Sequence, residues 1–161
     1  MLKQRIAEAL ASHADAAAWS ARFFLSISVQ MEYEGYSGFS RWMRGKYSEY
    51  NCESLSVIDY ILEQGTHPVL SDITGIPSEF GDMLEAFEQG LVQLMRLGDS
   101  LESVVSLVQE EKDNTTYAKL QPMLLKQVAV EADISRIISR LKRGGGESGY
   151  SLYDYMMKTD N

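Results

Sequence analysis

The sequence predicts an all-α protein: an antiparallel four-helix bundle with a long crossover between its second and third helices and a short fifth helix at the C-terminal end. Three observations predict it. The stretches between chain breakers are long and none alternates with strand period. Apolar residues in each recur every three or four positions, as in a helix that buries one face. Only three prolines occur in 161 residues.

In the first segment the inward seam reads Ile6, Leu10, His13, Ala17, Ser20, Phe24, Ile27 and Met31. A breaker cluster, Glu34–Ser40 (EGYSGFS), ends it. The second seam is looser: Trp42, Lys46, Tyr50, Glu53, Val57, Tyr60. Breakers cluster again over Gly65–Gly81, with Pro68 and Pro77, and the connection Thr66–Asp82 is long enough to cross the length of a bundle at up to about 3.3 Å per residue, which would join helices that run parallel. The third seam is Leu84, Phe87, Leu91, Leu94, Gly98, Leu101, Val105 and Val108. A weak break at Asp113-Asn114 follows, where Asn114 and Thr115 are good caps. The fourth seam is Tyr117, Leu120, Leu124, Gln127, Glu131, Ile134, Ile138 and Leu141. Pro122 lies inside that segment and is expected to bend it or mark an irregular start. The expected organisation is one domain over 1–161, with the bundle at 2–143, a glycine loop at 144–149 (GGGESG) and a short helix at 151–158.

Fifteen basic against twenty-three acidic side chains give a net charge of −8, which disfavours nucleic acid and anionic membrane as partners. The single cysteine, Cys52, excludes an intrachain disulfide and a thiolate metal cage. No apolar run approaches the roughly 20 residues of a membrane span, and Met1–Asp15 is too polar for a signal peptide. A cytoplasmic location is the expectation. Met156-Met157 reads as packing, Glu110-Glu111 with Asp113 as a solvated helix end, and Gly144-Gly145-Gly146 as a connection rather than a phosphate loop.

Polar residues interrupt the seams near mid-height, where bundles build metal and cofactor sites. A buried carboxylate there needs a partner, a hydrogen bond or a metal. The residues themselves leave two readings: a satisfied cluster, with Tyr50 or His13 donating to Glu53 or Glu131, or one weakly held metal. The spacing of a Glu-x-x-His pair survives as Tyr50-x-x-Glu53 without its ligand chemistry.

Over the whole chain the sequence resembles the bacterial non-haem ferritins. The resemblance is carried by AAAWSARFFLSIS (Ala16–Ser28), MEYEGYSGFSRWMR (Met31–Arg44), Asp59-Tyr60-Ile61, Gly65, Ile76-Pro77, Leu84-Glu85-x-Phe87-Glu88, Glu111-Lys112-Asp113 and Gln127. It implies a hollow homo-oligomeric shell of 24 subunits that stores iron. It also implies where the iron-oxidising residues would stand. The first-helix glutamate is replaced by Ala17, the second-helix Glu-x-x-His by Tyr50 and Glu53, the third-helix glutamate by Leu94, and a fourth-helix glutamate by Val130, while Gln127 matches. At the accessory iron site Glu49 remains beside Lys126 and Ala129, and Lys126 is a candidate partner for Glu49. The aromatic beside the centre is Phe24, without a hydroxyl.

Ferrous and ferric ions want oxygen and imidazole donors, which Ala17, Leu94 and Val130 lack. The resemblance therefore implies a storage-shell subunit with a degenerate centre, not an efficient enzyme on its own, holding iron without a tight di-iron site. Glu53, Gln127 and Glu49 are the residual metal candidates, and co-assembly with an active ferritin chain is one way such a shell would fill. The competing readings are a structural or interaction shell that has left iron behind, and an oxidase with a mononuclear site built from Glu53, Gln127 and His13 or Glu131.

Overall fold

The computed structural model describes residues 1–159 and consists of five helices: α1 (Gln4–Tyr33), α2 (Ser37–Glu63), α3 (Met83–Glu110), α4 (Asn114–Arg143) and α5 (Glu147–Thr159). Asp160 and Asn161, assigned above to the single domain, lie outside the described residues. Among the described residues no helix is long and apolar enough to cross a membrane.

Hydrogen bonds from the crossover fix the topology. Asp15 accepts from Ser71 N, Trp19 Nε1 donates to Thr74 O, Ser26 Oγ donates to Pro77 O, and Gln30 Nε2 donates to Gly81 O. The connection between Glu63 and Met83 thus climbs α1 from Asp15 to Gln30, about 22 Å at 1.5 Å per residue. It delivers α3 to the end of the bundle where α1 finishes, so α3 descends beside α1 and parallel to α2. At the other end Lys3 and Arg5 both donate to Glu111, closing the base. Those two cations hold the Glu111 carboxyl below its usual range. The acidic helix end thus has a definite structural use.

Every residue of the first seam is buried. In the second, Met43 takes the fully buried place and Trp42 is only partly covered, while Lys46, Tyr50, Glu53, Val57 and Tyr60 face inward as the spacing required. The cap of α4 is Asp113 rather than Asn114 or Thr115: its carboxylate accepts from Thr116 N at 3.0 Å and from Thr116 Oγ1 at 2.6 Å. Thr116 Oγ1 also meets Tyr60 Oη at 2.8 Å, tying the end of α2 to the start of α4. Pro122 does not mark the start of α4, which begins at Asn114 and runs unbroken through it. Pro122 and Ala118, whose carbonyl loses its usual donor there, are both exposed, so water can replace the missing bond.

The glycine loop is shorter than 144–149, and α5 is correspondingly longer than 151–158. Gly145 and Gly146 make the turn with φ of 78° and 80°. Gly149 is already helical: a Cβ there would lie 1.7 Å from Gly144 O, so this glycine serves close approach rather than chain breaking. Met157 packs against the core and Met156 is exposed, which supports the packing reading for the second of the pair only. Midway along its length α5 supplies a side-chain cap that α2 lacks locally. Asp154, buried, accepts from Phe39 N at 2.8 Å, satisfying a free amide in the first turn of α2. Phe39 in turn meets Phe87 and Tyr153 edge-on, at 5.4 and 5.7 Å between ring centres.

Candidate functional site

The apolar core divides into two clusters, one around Phe24, Phe39 and Phe87 and one around Leu10, Ile61 and Val108. Where they meet, all four long helices contribute polar side chains. From α1, His13 is buried and bridges two neighbours: Nδ1 lies 3.0 Å from Ser100 Oγ on α3 and Nε2 lies 3.3 Å from Glu53 Oε2 on α2. One ring therefore ties three helices together, and the Glu53 carboxylate, otherwise costly to bury, has its partner. A level above, Ser20 Oγ donates to Ala16 O and accepts from Gln93 Nε2 at 3.0 Å.

On the α4 side, Gln127 Nε2 donates to Leu94 O at 2.6 Å and to Glu131 Oε1 at 3.1 Å. Gly98 makes room for this: a Cβ there would stand 2.9 Å from Gln127 Nε2. The third seam's only glycine thus has a packing reason. Lys46, nearly buried on α2, places its ammonium 3.1 Å from Glu49 Oε2 and 4.8 Å from the centre of the Trp42 ring. Glu49 is therefore partnered one turn back on its own helix. Lys126, a candidate partner for Glu49 from the sequence, instead lies over the Tyr50 ring at 5.5 Å. A Lys–Glu pair three residues apart on one helix needs no rearrangement between helices, and the aromatic face offers the other ammonium a cation–π contact.

Tyr50 does not donate to Glu53 or Glu131: its hydroxyl is buried without a hydrogen-bond partner. Burial first, then the carboxylates of Glu53, Glu49 and Glu131, push its ionisation well above the ordinary phenol range. Its ring stacks on Phe24, 6.1 Å away, and belongs to the apolar cluster. Ala17, Leu94 and Val130 complete the lining, all buried. Of the residual metal candidates, Glu53 faces His13, Glu49 faces Lys46 and Gln127 faces Glu131, each in its own pairing. Among the described residues no three His, Cys, Asp or Glu side chains converge as a metal site.

Sequence reasoning placed His13, Tyr50, Glu53, Gln127 and Glu131 on inward faces, and the His13–Glu53 and Gln127–Glu131 contacts follow. It missed Ser100 and Gln93 as partners. Lys46 stands in the second seam, and an inward lysine demands a carboxylate, the sequence signal that points to Glu49 one turn on. A direct test of the layer is Glu53→Gln, which keeps shape and hydrogen-bonding capacity while deleting charge. We expect its midpoint of thermal unfolding to equal or slightly exceed that of the parent, with neither shifted by ferrous or zinc ions; stabilisation of the parent alone by metal would reveal a residual site.

A five-helix bundle with a crossover laid along its first helix and a polar layer at mid-height belongs to the class of helix bundles whose facing helices can carry side-chain sites in the core. The chain belongs to the ferritin family: the family model for the ferritin-like domain matches residues 7–144. A bacterial non-heme ferritin of Bacteroides fragilis is 29% identical over 145 residues, 90% of this chain and 91% of the relative. One from Staphylococcus saprophyticus is 27% identical over 155 residues, 96% of this chain and 92% of that protein. Among solved structures, an engineered closed form of the Archaeoglobus fulgidus ferritin superposes with a TM-score of 0.94 at 27% identity, covering 100% of this chain and 99% of the other. A humanized archaeal ferritin gives 0.95 at 28% identity, covering 100% and 98%. The helix bundle expected from the seams, and the ferritin fold that the resemblance implies, are therefore the fold observed.

Proposed function

We propose that this protein is the subunit of an iron-storage shell that lacks an efficient iron-oxidising centre of its own. The observation that carries this reading is the apolar lining at mid-bundle. Ala17, Leu94 and Val130 stand at positions where the resemblance puts iron-binding carboxylates, and they are 0%, 0% and 3% exposed. They are packed into the core, so no small side-chain movement brings an oxygen donor to their place. The remaining carboxylates answer to His13, Lys46 and Gln127, and two ammonium groups, Lys46 and Lys126, supply positive charge in the same region. Glu53, Gln127 and Glu49 hold a metal ion at most weakly. Iron is cargo here, oxidised by oxygen in solution or by an active ferritin chain in a mixed shell, and deposited inside.

Assembly is supported by the surface of the single chain. Val29 and Tyr33 on α1 and Val69, Leu70 and Ile73 on the crossover are apolar side chains left exposed in the single chain. Closed symmetric association covers such a face. The reading is tested by the mass of the purified protein in dilute neutral buffer together with its iron content per chain from iron-supplied cells, with a check for a second co-purifying ferritin. A 24-subunit shell carrying iron is expected. A monomer or dimer would refute the shell, and an iron-free shell from iron-rich cells would favour a structural or interaction protein.

A further inference from the structure

α4 carries six basic residues and two acidic ones in a chain of net charge −8, so the acidic excess lies entirely on the other segments. Arg136, Arg140 and Arg143 recur one helical turn apart and, with Ser135 and Ser139, line a groove of about 390 Å³. Cations in a last turn complement the helix dipole, which accounts for Arg140 and Arg143 but not for Arg136, nearly two turns before the end. Lys142 points away, toward Glu88.

Each arginine is steadied by one contact and keeps most of its five donors free. Arg136 pairs with Asp133 one turn back. The Arg140 guanidinium lies 5.4 Å from the Tyr153 ring centre, so α5 holds it in place. Arg143 Nε donates to Ser139 O at 3.3 Å. Planar guanidinium forks match tetrahedral oxyanions, and the two serine hydroxyls add donors within the same groove. The three arginines span only about 10 Å of helix, which suits one small anion rather than a nucleic-acid strand. We propose that this groove is a binding site for a phosphate-class oxyanion, free or carried as a phosphomonoester.

The test is calorimetric titration of the full-length protein with inorganic phosphate, and separately with glycerol phosphate, at low ionic strength and neutral pH. Saturable binding of one anion per chain is expected. Arg136→Gln and Arg143→Gln, both exposed and so harmless to the fold, should each weaken it about tenfold, the worth of one charge-assisted contact. Lys119→Gln removes the same charge from the same helix outside the groove and should change affinity less than about twofold. Binding of phosphate alone assigns a free anion, and equal binding of both assigns the phosphoryl group itself. No saturable binding up to about 10 mM, an affinity too weak for a specific site, or equal weakening by the Lys119 variant, would overturn the proposal.

Discussion

Replacing Gly38 with alanine is expected to loosen the docking of α5 and to lower stability by about 3–5 kcal/mol, the combined cost of overpacking and of losing a hydrogen bond to a charged group. A Cβ at this position would lie 2.1 Å from Asp154 O, a backbone atom that cannot rotate away, and 3.0 Å from Asp154 Oδ1. The same displacement removes the carboxylate that caps α2 through Phe39 N and parts Tyr153 from Phe39. Thermal unfolding reads the loss, and limited proteolysis near the 144–146 turn reads the release of α5. Wild-type resistance to protease and an unchanged midpoint would show that α5 is not held this way.

Leu94→Glu is the second large effect, because it places a carboxylate in the apolar lining opposite Gln127. Leu94 is fully buried, and an unpaired buried charge costs about 3–5 kcal/mol. Burial raises the pKa of the new group above its unfolded value of about 4.3, so the folded chain holds the proton more tightly than the unfolded one. The variant should therefore be closest to the parent in acid and lose ground as pH rises through the folded pKa. Unfolding midpoints at several pH values, with and without ferrous ion, measure this. Recovery of stability on adding iron at neutral pH would mean that the surrounding groups form a metal site after all, contrary to the pairings described.

The fold was readable because helix seams leave a period that survives substitution of individual residues. All eight residues of the α1 seam are buried, and the crossover is long enough to allow the parallel α2 and α3 that its hydrogen bonds along α1 then fix. Ends were less readable, since capping depends on which side chain reaches a free amide. Asp113 takes that place ahead of Asn114, and Asp154 caps α2 from another helix, which no local pattern announces. GGGESG looks like six residues of loop, yet only the glycines at positive φ turn the chain. In the polar layer, inward direction was legible from spacing and partner choice was not. Of the two candidate donors, His13 meets Glu53 and Tyr50 has no partner, and Lys126, a candidate partner for Glu49, lies over an aromatic ring instead. These are differences of a few ångströms in side-chain reach, below what periodicity encodes.

The central claim, that the mid-bundle layer no longer assembles an oxidising iron pair, is tested most directly by following ferrous oxidation and oxygen consumption after mixing the pure assembled protein with ferrous ion in aerated neutral buffer. The account predicts a progress curve close to that of buffer alone, with no fast phase that saturates with added iron. A rapid phase consuming two ferrous ions per chain would contradict it.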